Sequence, residues 1–356
     1  MSRLKSLQQS TYSWMYRLAE RPKNVQRGIK DTIYQLRTGE IEAKDIGRNG
    51  VKTLGAIILV GITLFPVYWI FLSSISGQGG SIYAAGGIQF IPADPTWDAY
   101  RWVFGNANIP SYEIAVTLFG YEIALNTPGF SPNINCSELG GCSQFPLYFW
   151  NSLTVSIPAV ILAMCVIVPG AYALSRREFI FKNKVLYTYL LFTQIGGGLS
   201  VATLIALYAI FVQFGLTNDK LALAAYYAAV AVPLNTWILK TYMDTIPATY
   251  EEAAFVDGAP MWRIVWEIIL PMTKPGLAAT FIFTFLVGWK EFVVAQVLLS
   301  NENYTLPVGL FSLVGQYQIP WQQFSAFALV FALPVTIIYL AMRKYMQEGL
   351  SLSGID

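Results

Sequence analysis

Six apolar runs, each of the length a helix needs to cross a bilayer, limit what this chain can fold into. They occupy 53–75, 148–175, 185–215, 221–240, 276–299 and 324–346. In hydrocarbon every backbone N–H and C=O must be satisfied by the protein itself, so runs of this kind fold as helices. The charge content agrees: 12% of residues are Asp, Glu, Lys or Arg, against about 25% in an ordinary soluble domain. The expected fold class is therefore all-α integral membrane, with six transmembrane helices. Pro66, Pro158, Pro169, Pro233 and Pro334 fall inside four of the runs. Membrane helices tolerate proline where neighbours satisfy the freed carbonyls, and helices that bend or pivot use it more than static anchors do.

Basic residues orient the runs, because Lys and Arg accumulate on the cytoplasmic side. Eleven precede the first run, Arg101 alone lies in 76–147, and four lie in RREFIFKNK at 176–184. Arg263 and Lys274 fall in 241–275, none falls in 300–323, and Arg343 and Lys344 follow the last run. This pattern puts both termini and the 241–275 segment in the cytoplasm of a multi-pass protein of the plasma (inner) membrane. The expected organisation is a basic cytoplasmic segment at 1–52, a first helix at 53–75 and an extracytoplasmic loop at 76–147. A transmembrane core at 148–346 contains the cytoplasmic 241–275 segment, and a cytoplasmic tail follows at 347–356. Within 1–52, Leu4, Leu7, Met15 and Leu18 recur at near-helical spacing, as do Ile29, Ile33 and Leu36. They make either helices lying on the inner leaflet or a solvated basic tail.

Histidine is absent, which removes the commonest metal ligand and the commonest general base. No metal site and no catalytic residue is expected, and an intramembrane enzyme would need an unusual dyad. The net charge of +2 provides no broad basic field for nucleic acid. Cys165, in an apolar run, is expected to be a small packed residue. Cys136 and Cys142 share the external loop sequence NINCSELGGCSQ. They are either a disulfide, which would stabilise so short a ring by about 2 kcal/mol, or two unpaired thiols.

Between the fourth and fifth runs lies a segment of different character, EEAAFVDGAPMWRIVWEIILPMTKPG at 251–276. Pro247 suits a first helical turn, and Glu251 and Glu252 favour the positive end of the helix dipole. Ala253 and Ala254 are strong helix formers with minimal side chains. Asp257 and Gly258 come next, and glycine readily takes the left-handed conformation that stops a helix. A helix of about three turns results, with a flank bare enough for another protein to approach its backbone. A second helix starts at Pro260. Trp262, Val265, Trp266 and Ile269 are expected to form its apolar stripe, with Arg263 and Glu267 on the other side. Pro271 and Pro275 then redirect the chain into the fifth run. The segment reads as a short docking helix joined rigidly to two spans, or as a structured connector.

Glu252-Ala253-Ala254, three residues, Gly258, nine residues, then Ile268-x-Leu270-Pro271 resembles the EAA motif of the permease subunits of binding-protein-dependent ABC importers. FWNSLTVS at 149–156, GAYALSR at 170–176, LPVGL at 306–310 and the terminal QEGLSLSGID are similar to the MalG-like carbohydrate-uptake branch of that family. The resemblance spans 51–356 apart from an enlarged first outer loop. It implies the type I (MetI-like) ABC importer permease architecture and import of a sugar or oligosaccharide. It also implies that Glu251, Glu252, Ala253, Ala254, Asp257, Gly258, Leu270 and Pro271 belong to a helix that couples the permease to cytoplasmic ATPases. The implied partners are a second permease subunit in a heterodimer, two ATPase subunits and an extracytoplasmic solute-binding protein. No GxxxxGK[ST] phosphate loop occurs in the chain, so ATP and Mg are expected on the partner ATPase chains, with no cofactor here. An importer for an amino acid, polyamine or phosphate is the alternative. A secondary transporter would instead show inverted internal repeats.

Two features depart from that family's pattern. Trp289-Lys290-Glu291-Phe292 replaces a usual Trp-Asn-Glu-Phe run. Charges at membrane depth face a cavity or a partner, so Lys290 and Glu291 either line a translocation path or lock a subunit interface. Gly197, within QIGGGLSV, stands in a region that often holds proline, and serves close packing or local unwinding beside a path. In the 300–323 loop, Tyr304, Phe311, Tyr317 and Trp321 are expected to contact the binding protein or to form an interfacial aromatic belt.

Overall fold

The computed structural model describes residues 43–77, 94–105, 143–182, 201–314 and 319–352, with short stretches at 83–84, 87–88, 91–92, 113–118, 121–126, 184–185, 187–188 and 191. The chain divides into two compact units, Met1–Trp69 and Ile70–Asp356. Helix α1 (Ala43–Ile75) begins ten residues before the first apolar run. Its span, from Val51, is apolar all round, with Leu54, Ile58, Ile62 and Phe65 exposed, as suits a helix solvated by lipid.

In the second unit, α2 is Asp98–Phe104, α3 Phe145–Arg176, α4 Val201–Gln213 and α5 Lys220–Asp244. Helices α6 (Thr249–Val256), α7 (Met261–Met272) and α8 (Lys274–Lys290) follow. They are succeeded by α9 (Val293–Leu298), α10 (Leu306–Phe311) and α11 (Trp321–Leu352). Among the described residues, α1, α3, α5 and α11 are each long and apolar enough to cross a membrane. The α7–α8 pair, bent by 82°, makes one further span, and α4 is a shorter apolar helix. Most of the first half of the 185–215 run, including Gly197, lies outside the described residues, as do Cys136, Cys142 and Tyr317.

The stretch between α1 and α3 carries two small antiparallel hairpins. Strands β1 (Tyr83–Ala84) and β2 (Gly87–Ile88) form one. Strands β3 (Glu113–Leu118) and β4 (Tyr121–Asn126) form the other, with Leu118 opposite Tyr121. They occupy the enlarged loop; the spanning part of the fold contains no strand among its described residues.

Small residues bring the spans together. Ala159, Ala163 and Ala171 of α3 and Ala224, Ala228 and Ala231 of α5 are all buried, which lets helix backbones approach closely. A Cβ on Gly288 of α8 would come within 3.3 Å of Ser156 Cα on α3. Cys165 sits on the exposed side of α3, not packed as expected: the inward positions of that stretch are Ala163 and Ile167, and a residue two away from each lies across the helix.

Glycine punctuates the turns where the backbone demands it. Gly215 (φ +66) ends α4, with Leu216 N donating to Phe211 O and Gly215 N to Val212 O, the Schellman pattern of paired bonds. Asn218 (φ 64) follows. Asp219 then caps α5, its carboxylate accepting from the N–H of Leu221 at 2.7 Å and of Ala222 at 3.1 Å. This turn meets the 298–303 segment: Asn218 N donates to Leu298 O, and Asn218 Oδ1 accepts from Ser300 N and Asn303 Nδ2. The 218 and 298 turns therefore share one end of the bundle, and the 244–276 segment lies at the other.

The fifth run is not one helix. Helix α8 stops at Lys290, Glu291 takes an extended conformation (φ −69, ψ 131), and α9 starts afresh at Val293. The run at 276–299, interrupted in the sequence by Lys290 and Glu291, is thus two helical pieces, because the Glu291 carboxylate caps the second. It accepts from Val294 N at 2.9 Å and Ala295 N at 3.2 Å, a better outlet for a carboxylate at membrane depth than a helix interior offers.

Candidate functional site

Helix α6 is eight residues long, about 12 Å, one turn shorter than the sequence implied. Pro247 lies ahead of it, and its N-cap is Ala248. Its end is another Schellman turn. Gly258 has φ +77, Ala259 N donates to Ala254 O, and Gly258 N donates to Phe255 O. Asp257 is the C-cap and is exposed. No atom lies within 4 Å of a Cβ built on Gly258, so backbone conformation, not crowding, calls for glycine here.

The helix has two faces. Glu251 and Ala254 are buried against the bundle, while Glu252, Ala253, Phe255 and Val256 are exposed. The adjacent glutamates therefore do different things. Glu251 Oε1 lies 2.6 Å from Arg176 Nε, the two side chains being only 10% and 13% exposed. Its other oxygen accepts a hydrogen bond from the Tyr172 hydroxyl at 3.0 Å. Arg176 also donates from Nη2 to Ile246 O at 2.8 Å, and its neighbour Ser175 donates to Asp244 Oδ1 at 2.6 Å. The last turns of α3 are thus bonded to the end of α5, to the intervening turn and to α6. A cavity of about 180 Å³ opens beside this knot, lined in part by Arg177, Glu252, Phe255 and Met261.

Helix α7 does not present the expected Trp262–Val265–Trp266–Ile269 stripe. Ile264 to Ile269 form a π-helix, and in that wider winding the residue five positions on returns to the same face. Ile264 and Ile269 are fully buried with Leu270, while Trp262 and Trp266 are 64% and 66% exposed. Arg263 and Glu267 pair at 3.1 Å on the exposed side as well. The wide turn lies just ahead of Pro271, whose ring would press on the carbonyl four residues back in a regular helix. The chain then bends at Thr273, whose hydroxyl is within hydrogen-bond distance of Ile269 O at 3.0 Å and Leu270 O at 3.1 Å. Pro271 is exposed; Pro275 is buried at the start of α8.

The four residues at the α8–α9 break also separate. Trp289 is completely buried, its Nε1 donating to Phe331 O at 3.2 Å. Lys290 is exposed and, among the described residues, makes no ion pair or hydrogen bond. Glu291 caps α9 and accepts from the Tyr227 hydroxyl at 2.5 Å. Phe292 packs on Phe311 at 4.8 Å between ring centroids. Lys290 and Glu291 thus make no pair. Of the expected binding-protein contacts, Tyr304 is half-buried, its carbonyl accepting from Asn151 Nδ2 at 3.1 Å. Trp321 is exposed and lies edge-on to Phe324.

The sequence reading missed Tyr172 and Arg176. The string GAYALSR contains both, yet only the basic charge of Arg176 was read, as a marker of membrane side. Spacing along α3 does put them together: a tyrosine and an arginine at i, i+4 share one helix face.

The chain is a helical membrane bundle with a capped helix inserted between two spans. Residues 139–351 match the family described as binding-protein-dependent transport system inner membrane component, and the chain belongs to it. It is 34% identical over 305 residues to the inner membrane ABC transporter permease protein YcjP of Escherichia coli K12, covering 85% of this chain and 94% of that one. To the galactooligosaccharides transport system permease protein GanQ of Bacillus subtilis 168 it is 33% identical, covering 86% and 96%. To the maltose/maltodextrin transport system permease protein MalG of E. coli K12 it is 34% identical, covering 84% and 93%. A crystal structure of a bacterial ABC transporter involved in import of the acidic polysaccharide alginate contains a chain with the same fold, with TM-score 0.64 and 20% identity, covering 86% and 98%. The protein is a multi-pass membrane permease subunit of an ABC importer.

Proposed function

We propose that this chain imports a sugar or oligosaccharide across the plasma membrane as one half of a permease heterodimer. Two cytoplasmic ATPase subunits drive it, and an extracytoplasmic binding protein delivers cargo. The single observation that carries this reading is α6. It is a short helix with an inward face locked to the bundle and an outward face of Glu252, Ala253, Phe255 and Val256 left uncovered. A helix of this kind, ended by a glycine at positive φ and followed by an 82° turn into a span, is a handle for a moving partner. Maltodextrin and galactooligosaccharide transport by MalG and GanQ supports the cargo class. The bias of Lys and Arg toward 1–52, 176–184 and 241–275 supports a cytoplasmic α6 and cytoplasmic termini. ATP and Mg would sit on the ATPase chains, and binding energy there shifts the permease between two states that contact the ATPases differently.

On this reading Lys290 belongs to a surface met by cargo or by the second permease subunit, since an unpaired ammonium at such depth is costly against lipid. Tyr304 and Trp321 lie at the bundle end that meets the binding protein. The test is ATP-dependent uptake of labelled maltodextrin and galactooligosaccharide by the reconstituted complex, together with cross-linking of Val256→Cys to an ATPase subunit. Uptake of one of these sugars with a cross-link is expected. Assembly without any ATPase, or labelling of Val256→Cys from outside sealed cells, overturns the proposal.

A further inference from the structure

The two faces of α6 raise the question of what carries its motion into the bundle. Continuous backbone is a poor answer on its own. On one side the link is the turn at 245–248, and on the other it is the Gly258 turn followed by a π-helix and a bend. A push on α6 that met only these joints would be absorbed by them.

We infer that Arg176 and Tyr172 are positioning residues that fasten α6 to α3, so that the coupling helix and the end of that span move as one body. This inference rests on α6 being the coupling helix. Each contact crosses between elements: Arg176 to Glu251, Tyr172 to Glu251, Arg176 to the Ile246 carbonyl and Ser175 to Asp244. The charges are shielded from solvent, so water competes weakly for them. Arg176 Nε and Glu251 Oε1 face each other as an ion pair without good hydrogen-bond alignment, while the second guanidinium nitrogen holds the turn carbonyl. One guanidinium therefore fixes two points, the helix and the turn before it, which a single-point lysine ammonium would not reproduce. Ala254, Ile264 and Ile269 pack with Ala171 and Met243 beneath the knot, so the apolar layer and the polar layer hold the same elements. Glu251 is then the inward fastening and Glu252, beside it, the outward contact, a division of labour that two adjacent glutamates on one helix can accomplish because neighbouring residues point about 100° apart.

The test uses the complete transporter with the three native cysteines replaced by serine and spin labels at Ile161→Cys on α3 and Tyr250→Cys on α6, both exposed positions outside the face assigned to the ATPase. In the resting and vanadate-trapped complexes the labels are expected to give the same narrow distance, because the fastened elements move together. Arg176→Glu should broaden that distribution and lower cargo transported per ATP hydrolysed about tenfold. The charge-swapped pair, Arg176→Glu with Glu251→Arg, should restore part of both, because the ion pair returns while the bonds to the Ile246 carbonyl and from the Tyr172 hydroxyl do not. Tyr172→Phe, a milder change, should broaden the distribution without preventing assembly. A distance that shifts by more than about 3 Å between the two states of the otherwise unaltered complex, as in a hinge, overturns the inference. So does a swapped pair no better than Arg176→Glu. Loss of the Val256→Cys cross-link to the ATPase would instead sink the coupling-helix reading, so the two failures are told apart.

Discussion

Glu251 and Glu291 stand toward opposite ends of the same bundle, and each accepts a hydrogen bond from a tyrosine on a spanning helix, Tyr172 of α3 or Tyr227 of α5. The rest of their surroundings differ. Glu251 is held by a full opposing charge, Arg176. Glu291 pairs with no cation among the described residues and is held by two backbone N–H groups at the start of α9. The difference teaches how a membrane protein accommodates a carboxylate. Where two elements are to be tied side by side, a guanidinium reaches across. Where one helix is to be broken and restarted, the carboxylate turns back on its own chain and lets the peptide groups solvate it.

The largest effect expected is at the paired glutamate. Arg176→Met strands Glu251 as a buried, unmatched charge and should destabilise the folded subunit by about 3–5 kcal/mol. A fluorescence melt in detergent checks this. Arg176→Met with Glu251→Met should recover most of the loss, since removing both partners of a buried pair is often neutral; equal loss in single and double variants would break the comparison. Next comes Glu291→Ala, which deprives Val294 N, Ala295 N and the Tyr227 hydroxyl of their acceptor together. About 2–3 kcal/mol is expected, with Glu291→Gln losing less because one carbonyl oxygen remains. Hydrogen exchange at α9 reports it directly, and unaltered protection of the Val294 and Ala295 amides in Glu291→Ala would remove the capping role.

Gly258→Val acts by another route. A β-branched side chain at φ +77 costs about 1–2 kcal/mol locally, less than the charge variants, and nothing crowds the site. Stability should fall little while substrate-stimulated ATPase activity in proteoliposomes is lost. Wild-type stimulation from a well-inserted Gly258→Val protein would count against a transmitting role for this turn. The smallest effects are those of the hydroxyls. Tyr227→Phe should cost about 1–2 kcal/mol and Tyr172→Phe about 0.5–1 kcal/mol, because Glu251 keeps Arg176 whereas Glu291 pairs with no cation among the described residues. Matched melts of the two variants sharpen the comparison, and a reversed order would contradict it.

Particular residues show where sequence reading succeeds. The apolar runs at 53–75, 148–175, 221–240 and 324–346 coincide with α1, α3, α5 and α11, since length and hydropathy are properties of each run alone. Gly258 was identifiable as a helix stop because a left-handed turn after Asp257 leaves few other choices of residue. The Trp262–Ile269 stripe failed for an equally plain reason. Its spacing assumes 3.6 residues per turn, and the π-winding before Pro271 changes the period. Lys290 and Glu291 visibly interrupt the apolar run at 276–299, but a charge in such a run signals a function or a partner without saying that the helix will stop.

What this sequence determined by itself is the medium the chain folds in, the class of its elements and the place where a capped helix is inserted between spans. Those follow from local quantities: apolar length, allowed φ and the residues that stop helices. Only the tertiary structure decided which of Glu251 and Glu252 turns inward, since the answer depends on Arg176 and on Tyr172, 79 residues earlier in the chain. In the same way Tyr227, 64 residues before Glu291, settles what that carboxylate bonds to. Buried charge seeks whichever complementary group the packed helices bring within reach, and that proximity is created by the fold and not by neighbours in sequence.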